Sequence, residues 1–572
     1  MDKKPGKPPA ADVIYKIGSI TVLASFAVLF VSLVFFNNSA DYIISAPRRI
    51  LQLIIALAAF FTVCFAAVFF GKLLKKSSFS FHTLLFAACG LLFTAQYFIC
   101  LNISAETGWD PGNMVNGALY SLYFEKFSVP WLNMFPNNTF IFFFVRGVFW
   151  IFDKIGIEDT WLGLDLLNAF FMNLSAFVFC VTVKNLWGGK AAWIFFVFAV
   201  PMVILSPWMI IPYSDTFSMP VVAAACYFII GANRAKTRRK RIFFAVMSGF
   251  AAAAGWMLKP FVLSVFASLA VVYFIAALSG KIKGKKKKSA KIFFKRTLAG
   301  FAAASVSFAV FYAGFQIYAT NQNRVVIDNS VAIPYTYTFA MGMVETFIID
   351  ENENVYKRYG FFSGYVNDLA SMAEDKTETK HEAYVDYVKF ALSYYGPLRY
   401  AEFLFNKARW ITSEGFFFWG GNGAGALKGS PFLKIRSEES LAENAFIYTV
   451  DDDMNFWSSF FYPEGKYVHI WLDIVGGVWA VVFLGVVLGC LFPLFPWKRR
   501  VKRGFNPELF LRLIPYMLIF MMLFTEAAPR YLLGYVPVFC AVSANGWTRF
   551  FTFVSGFGKR READAAALTN SG

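Results

Sequence analysis

The sequence is poor in the residues that build metal centres and disulfide frameworks. It contains only three His, at scattered positions, which argues against a histidine metal site. It contains seven Cys, and each of them lies in or beside an apolar stretch. None lies in the largest polar segment, residues 320–469, so neither a disulfide framework nor a cysteine zinc site is indicated. Charged residues are also scarce, at 16% of the chain.

Apolar residues make up most of the chain. Of the 572 residues 58% are hydrophobic and 71 are Phe, a composition that predicts a polytopic membrane protein. The formal net charge of +18 could suggest a nucleic-acid partner. However, Lys and Arg occur in short runs between apolar segments, which is the pattern of cytoplasmic membrane loops. We therefore expect contact with membrane lipids and no nucleic acid.

The apolar stretches predict twelve membrane crossings. A crossing helix needs about 20 residues. Residues 242–278 are nearly twice that length and are interrupted at Lys259-Pro260, which indicates a hairpin of two short helices. Thr139–Ile151 is too short to cross and is expected to lie along the membrane. The predicted spans are 15–36, 50–70, 83–103, 162–183, 191–210, 219–232, 242–278 (twice), 297–319, 470–491, 509–525 and 531–553.

Charge then orients the predicted spans. Positive-inside placement puts the basic runs and both termini in the cytoplasm, and Tyr15–Phe36 is read as a retained helix in preference to a signal peptide. Arg48 and Arg49 fall on the wrong side in this scheme. The expected organisation is a cytoplasmic N-terminus with two accessory helices (1–82), a transmembrane core with a large outer loop (83–319), an extracytoplasmic α-rich or mixed domain (320–469), the C-terminal helices (470–553) and a cytoplasmic tail (554–572).

Four charged residues fall on the outer face in this topology, and three of them have a second interpretation. Asp110 and Asp215 are carboxylates able to act as a general base or to orient a hydroxyl, although Asp110 could instead cap a helix. Lys259 lies within an apolar hairpin, where it requires an anion unless it snorkels to the interface. Arg530 offers a fork for a phosphate, or it pairs with Glu526 four residues before it.

These motifs, taken in order, resemble the GT-C superfamily of integral-membrane glycosyltransferases. The sequence departs from the family pattern in the first outer loop, where the family often has two acidic residues together. Here Asp110 is followed by Pro111, with Glu106 as the nearest other carboxylate. The resemblance covers most of the chain from Thr83 onward. It is carried by Asp110, Pro212-Tyr213-Ser214-Asp215, Lys259-Pro260, Glu526-x3-Arg530-Tyr531, Phe135-Pro136-Asn137-Asn138, Met341-Gly342-Met343, Gly364-Tyr365-x-Asn367-Asp368 and Lys407-x2-Trp410-x3-Glu414-Gly415.

The resemblance implies an all-α fold with about twelve transmembrane helices and surface-lying helices in the first outer loop. It also implies a polyprenyl-phosphate sugar as donor and an extracytoplasmic envelope glycan, teichoic acid, lipid or protein as acceptor. Asp110 would deprotonate the acceptor hydroxyl, and the lipid phosphate would depart towards Lys259 and Arg530. Supporting or substrate-binding roles are expected for Trp109, Glu106, Asn137, Tyr213, Glu526 and Tyr531.

A transporter or flippase of lipid-linked saccharides is the alternative function, because it too needs buried cations. Such a protein often has repeated halves and polar residues in several mid-membrane segments. Here no fixed-period repeat is visible and the polar residues gather on one face, which favours an enzyme. No metal site is expected, although Asp451–Asp453 could bind a divalent cation if they are more than a solvated acidic loop.

Overall fold

The fold is α-helical. The computed structural model describes residues 10–36, 44–74, 80–124, 126–280, 286–349, 355–372, 377–423, 433–435, 448–450, 454–462, 465–494 and 505–569. The helices are α1 Ala10–Phe35, α2 Ala46–Leu74, α3 Phe81–Ile103, α4 Trp109–Tyr120, α5 Pro130–Met134, α6 Thr139–Ile155, α7 Thr160–Trp187, α8 Gly189–Ala199, α9 Ser214–Arg234, α10 Arg238–Leu258, α11 Leu263–Gly280, α12 Lys286–Thr320, α13 Thr336–Gly342, α14 Gly364–Met372, α15 Thr377–Thr412, α16 Phe456–Phe461, α17 Val468–Leu491, α18 Pro507–Phe524 and α19 Val536–Thr569.

Strands are short and occur only as pairs in the described part of the chain. They are β1 Phe127–Ser128, β2 Val325–Val326, β3 Glu345–Ile349, β4 Val355–Tyr359, β5 Leu433–Ile435 and β6 Tyr448–Val450. β1 and β2 pair in parallel, with Phe127 opposite Val325. The other two pairs are antiparallel, with Glu345 opposite Tyr359 and Leu433 opposite Val450. The parallel pair ties the loop after α4 to the segment after α12.

Ten helices in the described residues are long and apolar enough to cross a membrane. The expectation of a polytopic helical membrane protein is confirmed. α8, which continues as a π-helical turn to Ile204, is shorter, and α19 is not among the ten. Those two helices account for the difference from the twelve predicted crossings. The ten spans are Val13–Phe35, Ala46–Ala66, Phe81–Ile103, Thr160–Trp187, Ser214–Arg234, Arg238–Leu258, Pro260–Leu278, Thr297–Thr320, Val468–Leu494 and Pro507–Phe524.

The long apolar stretch 242–278 is a helical hairpin, as its length and its Lys-Pro break predict. α10 ends where the Lys259 N–H donates to the Gly255 carbonyl, and Lys259 itself is extended, at φ −158° and ψ 115°. Pro260 then opens the short 3-10 turn Pro260–Val262, since proline has no N–H to donate to the helix before it. The hairpin therefore presents Lys259 at the junction of two spans.

α9 and α10 pack against each other and connect two chemically different ends of the bundle. α9 begins beside Asp215 and ends at Arg234, and α10 begins at Arg238 and returns to Leu258. A helix of this length is about 30 Å long, roughly the thickness of the hydrocarbon layer. The acidic start of α9 and the basic turn after it therefore lie at opposite ends of the bundle.

The segment between α12 and α17 is mixed, as expected. α15 is broken at Gly396, which has a left-handed φ of +61° and precedes Pro397. The hairpin of β3 and β4 was not predicted, because its alternation of apolar and polar residues is weak in sequence. Tyr337 and Tyr384 lie in a small apolar core between α13, α14 and α15, separate from the core of the membrane bundle.

Candidate functional site

Residues from four distant segments meet at one end of the bundle, each close to the end of a helix. Asp110 is in the first turn of α4, and Asp215 is in the first turn of α9. Lys259 is the junction of α10 and α11, and Arg530 lies in the 3-10 segment Pro529–Tyr535. Carboxylates are stabilised in the first turn of a helix because the backbone dipole is positive there. The four residues predicted to carry the chemistry thus lie in one site.

Asp215 is the centre of an ion-paired trio. One carboxylate oxygen accepts a hydrogen bond from the Lys259 ammonium, and the other is 3.7 Å from Nε of Arg530. The Asp215 side chain is 3% exposed, that of Arg530 is 8% and that of Lys259 is 11%. Lys259 therefore has a buried anionic partner and does not snorkel. Since two cations face one carboxylate, the trio carries one positive charge that it does not neutralise itself.

Two tyrosine rings enclose the cations. The Lys259 ammonium is 3.7 Å from the centre of the Tyr531 ring. The Arg530 guanidinium carbon is 5.4 Å from the same ring and 6.0 Å from the ring of Tyr213. Ring faces attract cations, and the attraction grows when water is excluded. Tyr213 and Tyr531, which lie within two positions of Asp215 and Arg530 in the sequence, are thus part of the cation site.

Asp110 lies in this site but forms no ion pair among the described contacts. One oxygen of its carboxylate accepts a hydrogen bond from Trp131 Nε1 at 3.0 Å. The N-cap of α4 is Gly108, so Asp110 is not the helix cap. Burial raises the pKa of Asp110, while the Arg530 charge and the Trp131 hydrogen bond lower it. A carboxylate in this environment is a stronger base than one in water.

Glu526 is the third carboxylate of the site. It accepts a hydrogen bond from the Tyr531 hydroxyl at 3.0 Å. Burial raises the pKa of Glu526, the nearby Arg530 charge opposes that shift, and the charge on Asp110 adds to it. The charge on Asp110 therefore affects the titration of Glu526, and Arg530 acts on both carboxylates.

The remaining predicted residues differ in their exposure and in their hydrogen-bond partners. Glu106 is exposed and accepts a hydrogen bond from Asn116 at 2.7 Å. Asn137 is exposed, and its neighbour Asn138 is the buried amide that accepts a hydrogen bond from the Tyr213 hydroxyl at 3.4 Å. The side chain of Trp109 and residues Asp451–Asp453 lie outside the described part. Within the described residues, no group of three or more His, Cys, Asp or Glu side chains is placed to hold a metal.

Two residues of the site were not predicted in these roles. Trp131 contacts Asp110 across 21 positions of chain, and nothing in its local sequence marks that contact. Lys407 is completely buried beside the backbone that precedes Glu526. The sequence motif Lys407-x2-Trp410 assigns it no role, and the many charged residues around it give no sign of burial.

Comparisons with known proteins place the chain among membrane proteins. No match is found among curated proteins. The chain is similar to ArnT from Cupriavidus metallidurans in the apo state, with 14% identity over 80% of this chain and 78% of that one and a TM-score of 0.29. A superposition this loose carries no argument about activity or site residues. A family model matches residues 12–549, nearly the whole chain, so the protein belongs to the family described as conserved hypothetical integral membrane protein.

Proposed function

We propose that this protein is a membrane glycosyltransferase that moves a sugar from a polyprenyl-phosphate donor to an extracytoplasmic envelope acceptor. The observation that carries the proposal is the buried trio of Lys259, Arg530 and Asp215 beside the carboxylate of Asp110. Two buried cations suit an anionic leaving group, because they stabilise the charge that develops on its oxygen. A carboxylate with a raised pKa suits proton abstraction from a hydroxyl.

A groove beside this site supports a lipid-linked donor. It has a volume of about 620 Å³ and lies among α9, α10, α11 and α12. Most of its lining is apolar, with Phe266, Phe301 and Phe308 among the larger side chains. One end reaches Trp256 and Val262, which flank Lys259 in the sequence. A hydrocarbon chain in this groove would end near the cations, where its phosphate is needed.

The proposed reaction balances within these residues. The acceptor hydroxyl gives its proton to the carboxylate of Asp110, and its oxygen bonds to the anomeric carbon of the donor sugar. The bond from that carbon to the phosphate oxygen breaks, and its electron pair stays on the polyprenyl phosphate. Lys259 and Arg530 stabilise the developing charge. The products are a glycosylated acceptor and polyprenyl phosphate.

The extracytoplasmic location is part of the proposal. Basic residues cluster around the turn between α9 and α10, from Arg234 at the end of α9 to Arg241 in the first turn of α10, at the end of the bundle opposite Asp215. Cytoplasmic loops are enriched in Lys and Arg. With that turn in the cytoplasm, the site opens on the other face, where envelope acceptors are found.

The test combines a chemical and a binding measurement. Envelope glycans from cells with and without the gene are compared by mass spectrometry, and a missing sugar is expected without it. On purified protein, Lys259→Ala and Arg530→Ala should each weaken the binding of a long-chain polyprenyl phosphate by about 2 kcal/mol, the value of a charge-assisted contact.

Lys154→Ala is the control, because Lys154 is exposed and pairs only with its neighbour Asp153 among the described residues. Unchanged polyprenyl-phosphate affinity in both site variants would show that Lys259 and Arg530 do not bind the donor phosphate. Unchanged glycans together with an altered distribution of lipid-linked saccharides across the membrane would favour a transporter.

A further inference from the structure

Lys407 has no part in the proposed chemistry, yet it is one of the most buried charged residues of the described chain. It lies on α15 with its side chain at 0% exposure. Its ammonium donates hydrogen bonds to three backbone carbonyls, at 2.8 Å to Gly342, 3.1 Å to Leu523 and 2.6 Å to Thr525. An ammonium has three donors and no acceptor, so this arrangement uses its full hydrogen-bonding capacity.

The three carbonyls belong to two segments that are far apart in sequence. Gly342 ends α13, whereas Leu523 and Thr525 are at the end of α18, immediately before Glu526. The last carbonyls of a helix have no partner within that helix. A cation placed over them satisfies them and complements the negative end of the helix dipole. One side chain of α15 thus joins the ends of α13 and α18.

Backbone hydrogen bonds continue the connection into the site. The Glu526 N–H donates to the Thr338 carbonyl at 2.6 Å, and the Ala527 N–H donates to the Gly360 carbonyl at 2.7 Å. Gly360 has a φ of +70°, and a side chain there would meet the end of Lys407. Glycine is therefore required for the close approach of this strand end to the ammonium. The segment that carries Glu526 and Arg530 is held by α13, α15 and β4 together.

We infer that Lys407 is a positioning residue that holds segment 525–530, and with it Glu526 and Arg530, in the geometry of the phosphate site. The claim that this site binds phosphate rests on the proposed function. The claim that Lys407 holds the segment rests on the hydrogen bonds alone. Burial lowers the pKa of Lys407 to about 7, and the charge on Glu526 opposes that shift. Lys407 and the Glu526 carboxylate within the segment are therefore also coupled electrostatically.

The holding is tested by hydrogen exchange on the full chain in detergent, which needs no substrate. In Lys407→Met, which keeps the length of the side chain and removes its donors, the amides of Glu526 and Ala527 should exchange about tenfold faster. Amides within α17, which Lys407 does not contact, should be unchanged. Lys389→Met is the matched control, because Lys389 is on the same helix and 72% exposed.

A second measurement separates positioning from a merely structural role. The affinity for a long-chain polyprenyl phosphate should fall about tenfold in Lys407→Met and stay at the wild-type value in Lys389→Met. Lys407→Gln retains N–H donors and should give intermediate values of both quantities. It also keeps the test decisive if Lys407→Met does not fold.

Unchanged exchange at Glu526 and Ala527 would overturn the inference. Faster exchange with unchanged polyprenyl-phosphate affinity would also overturn it, because Lys407 would then stabilise the segment without positioning the site. If the wild-type protein binds no polyprenyl phosphate, the proposed function fails, and the exchange measurement still decides whether Lys407 holds the segment.

Discussion

At the scale of single residues, the carboxylates of Asp110 and Asp215 differ in their partners. Asp215 is neutralised by two cations, whereas Asp110 receives a hydrogen bond from Trp131 and is paired with no cation among the described contacts. A carboxylate that is held by ion pairs is a weak base, since the pairs stabilise its charged form. The two acidic residues, which the sequence motifs treat alike, therefore have different environments. In the proposed mechanism Asp215 organises the cations and Asp110 takes the proton.

Asp110→Asn tests that division. The amide keeps the shape of the side chain and can accept the Trp131 hydrogen bond, but it cannot act as a base. The release of polyprenyl phosphate from a sugar-charged donor should slow by about 10²-fold or more, with donor binding retained. Asp153→Asn is the control, since Asp153 is exposed at the far end of α6. Near-normal release by Asp110→Asn would exclude the proposed mechanism.

Trp131→Phe is expected to move the pH dependence of the reaction. The base form of Asp110 is lost as the pH falls through its pKa, which burial holds above the ordinary carboxyl value of 3.8. The Trp131 hydrogen bond favours the charged form, so its loss should raise that pKa further. The acidic limb of the rate profile should therefore move to higher pH, with little change on its alkaline side. A limb that stays in place or moves to lower pH would show that Trp131 does not tune Asp110.

At the scale of elements, the site is assembled from helix ends. The hairpin of α10 and α11 supplies Lys259, the start of α9 supplies Asp215, and the 3-10 segment after α18 supplies Arg530. Each of these residues was identifiable because a charge next to an apolar span is costly without a partner. Their ion pairs were not identifiable, because the partners are 44 and 315 positions apart and meet only when α9, α10 and α18 pack.

Asp215→Asn should therefore affect stability as much as activity. It would leave Lys259 and Arg530 buried, close together and without their shared anion, a change that typically costs about 3 kcal/mol or more. The midpoint of thermal unfolding in detergent should fall. The double variant Asp215→Asn/Lys259→Met should recover part of the loss of stability, because it also removes one of the two buried cations. A double variant no more stable than Asp215→Asn would show that loss of the Asp215–Lys259 ion pair does not cause the destabilisation.

At the scale of the whole molecule, the structure explains a discrepancy in the charge pattern. Arg48 and Arg49 oppose the positive-inside rule in the predicted topology. In the fold Arg48 makes two hydrogen bonds to Asp473, at 3.0 and 2.9 Å, and Arg49 is buried and donates to the carbonyls of Leu33 and Ser413. These two cations have internal partners that join α2 to α17 and to the end of α15, so they do not act as free loop charges.

Sidedness can be measured with single cysteines in a variant that lacks the seven natural ones. Leu398, which is 87% exposed on α15, and Glu106 should react with a membrane-impermeant thiol reagent added outside. Arg239, exposed in the basic first turn of α10, should react only after the membrane is opened. The reverse pattern would place the site in the cytoplasm and exclude an envelope acceptor.

The sequence by itself determined the membrane class, the hairpin around Lys259 and the charged residues that lie together in the candidate site. Those properties follow from hydrophobicity, from span length and from the cost of a charge beside lipid, all of which are local. Only the tertiary structure decided that Asp215 forms ion pairs with Lys259 and Arg530, that Trp131 donates a hydrogen bond to Asp110 and that Lys407 is buried over three carbonyls. Each of these depends on contacts between residues at least 21 positions apart, and local sequence carries no record of which distant groups will meet.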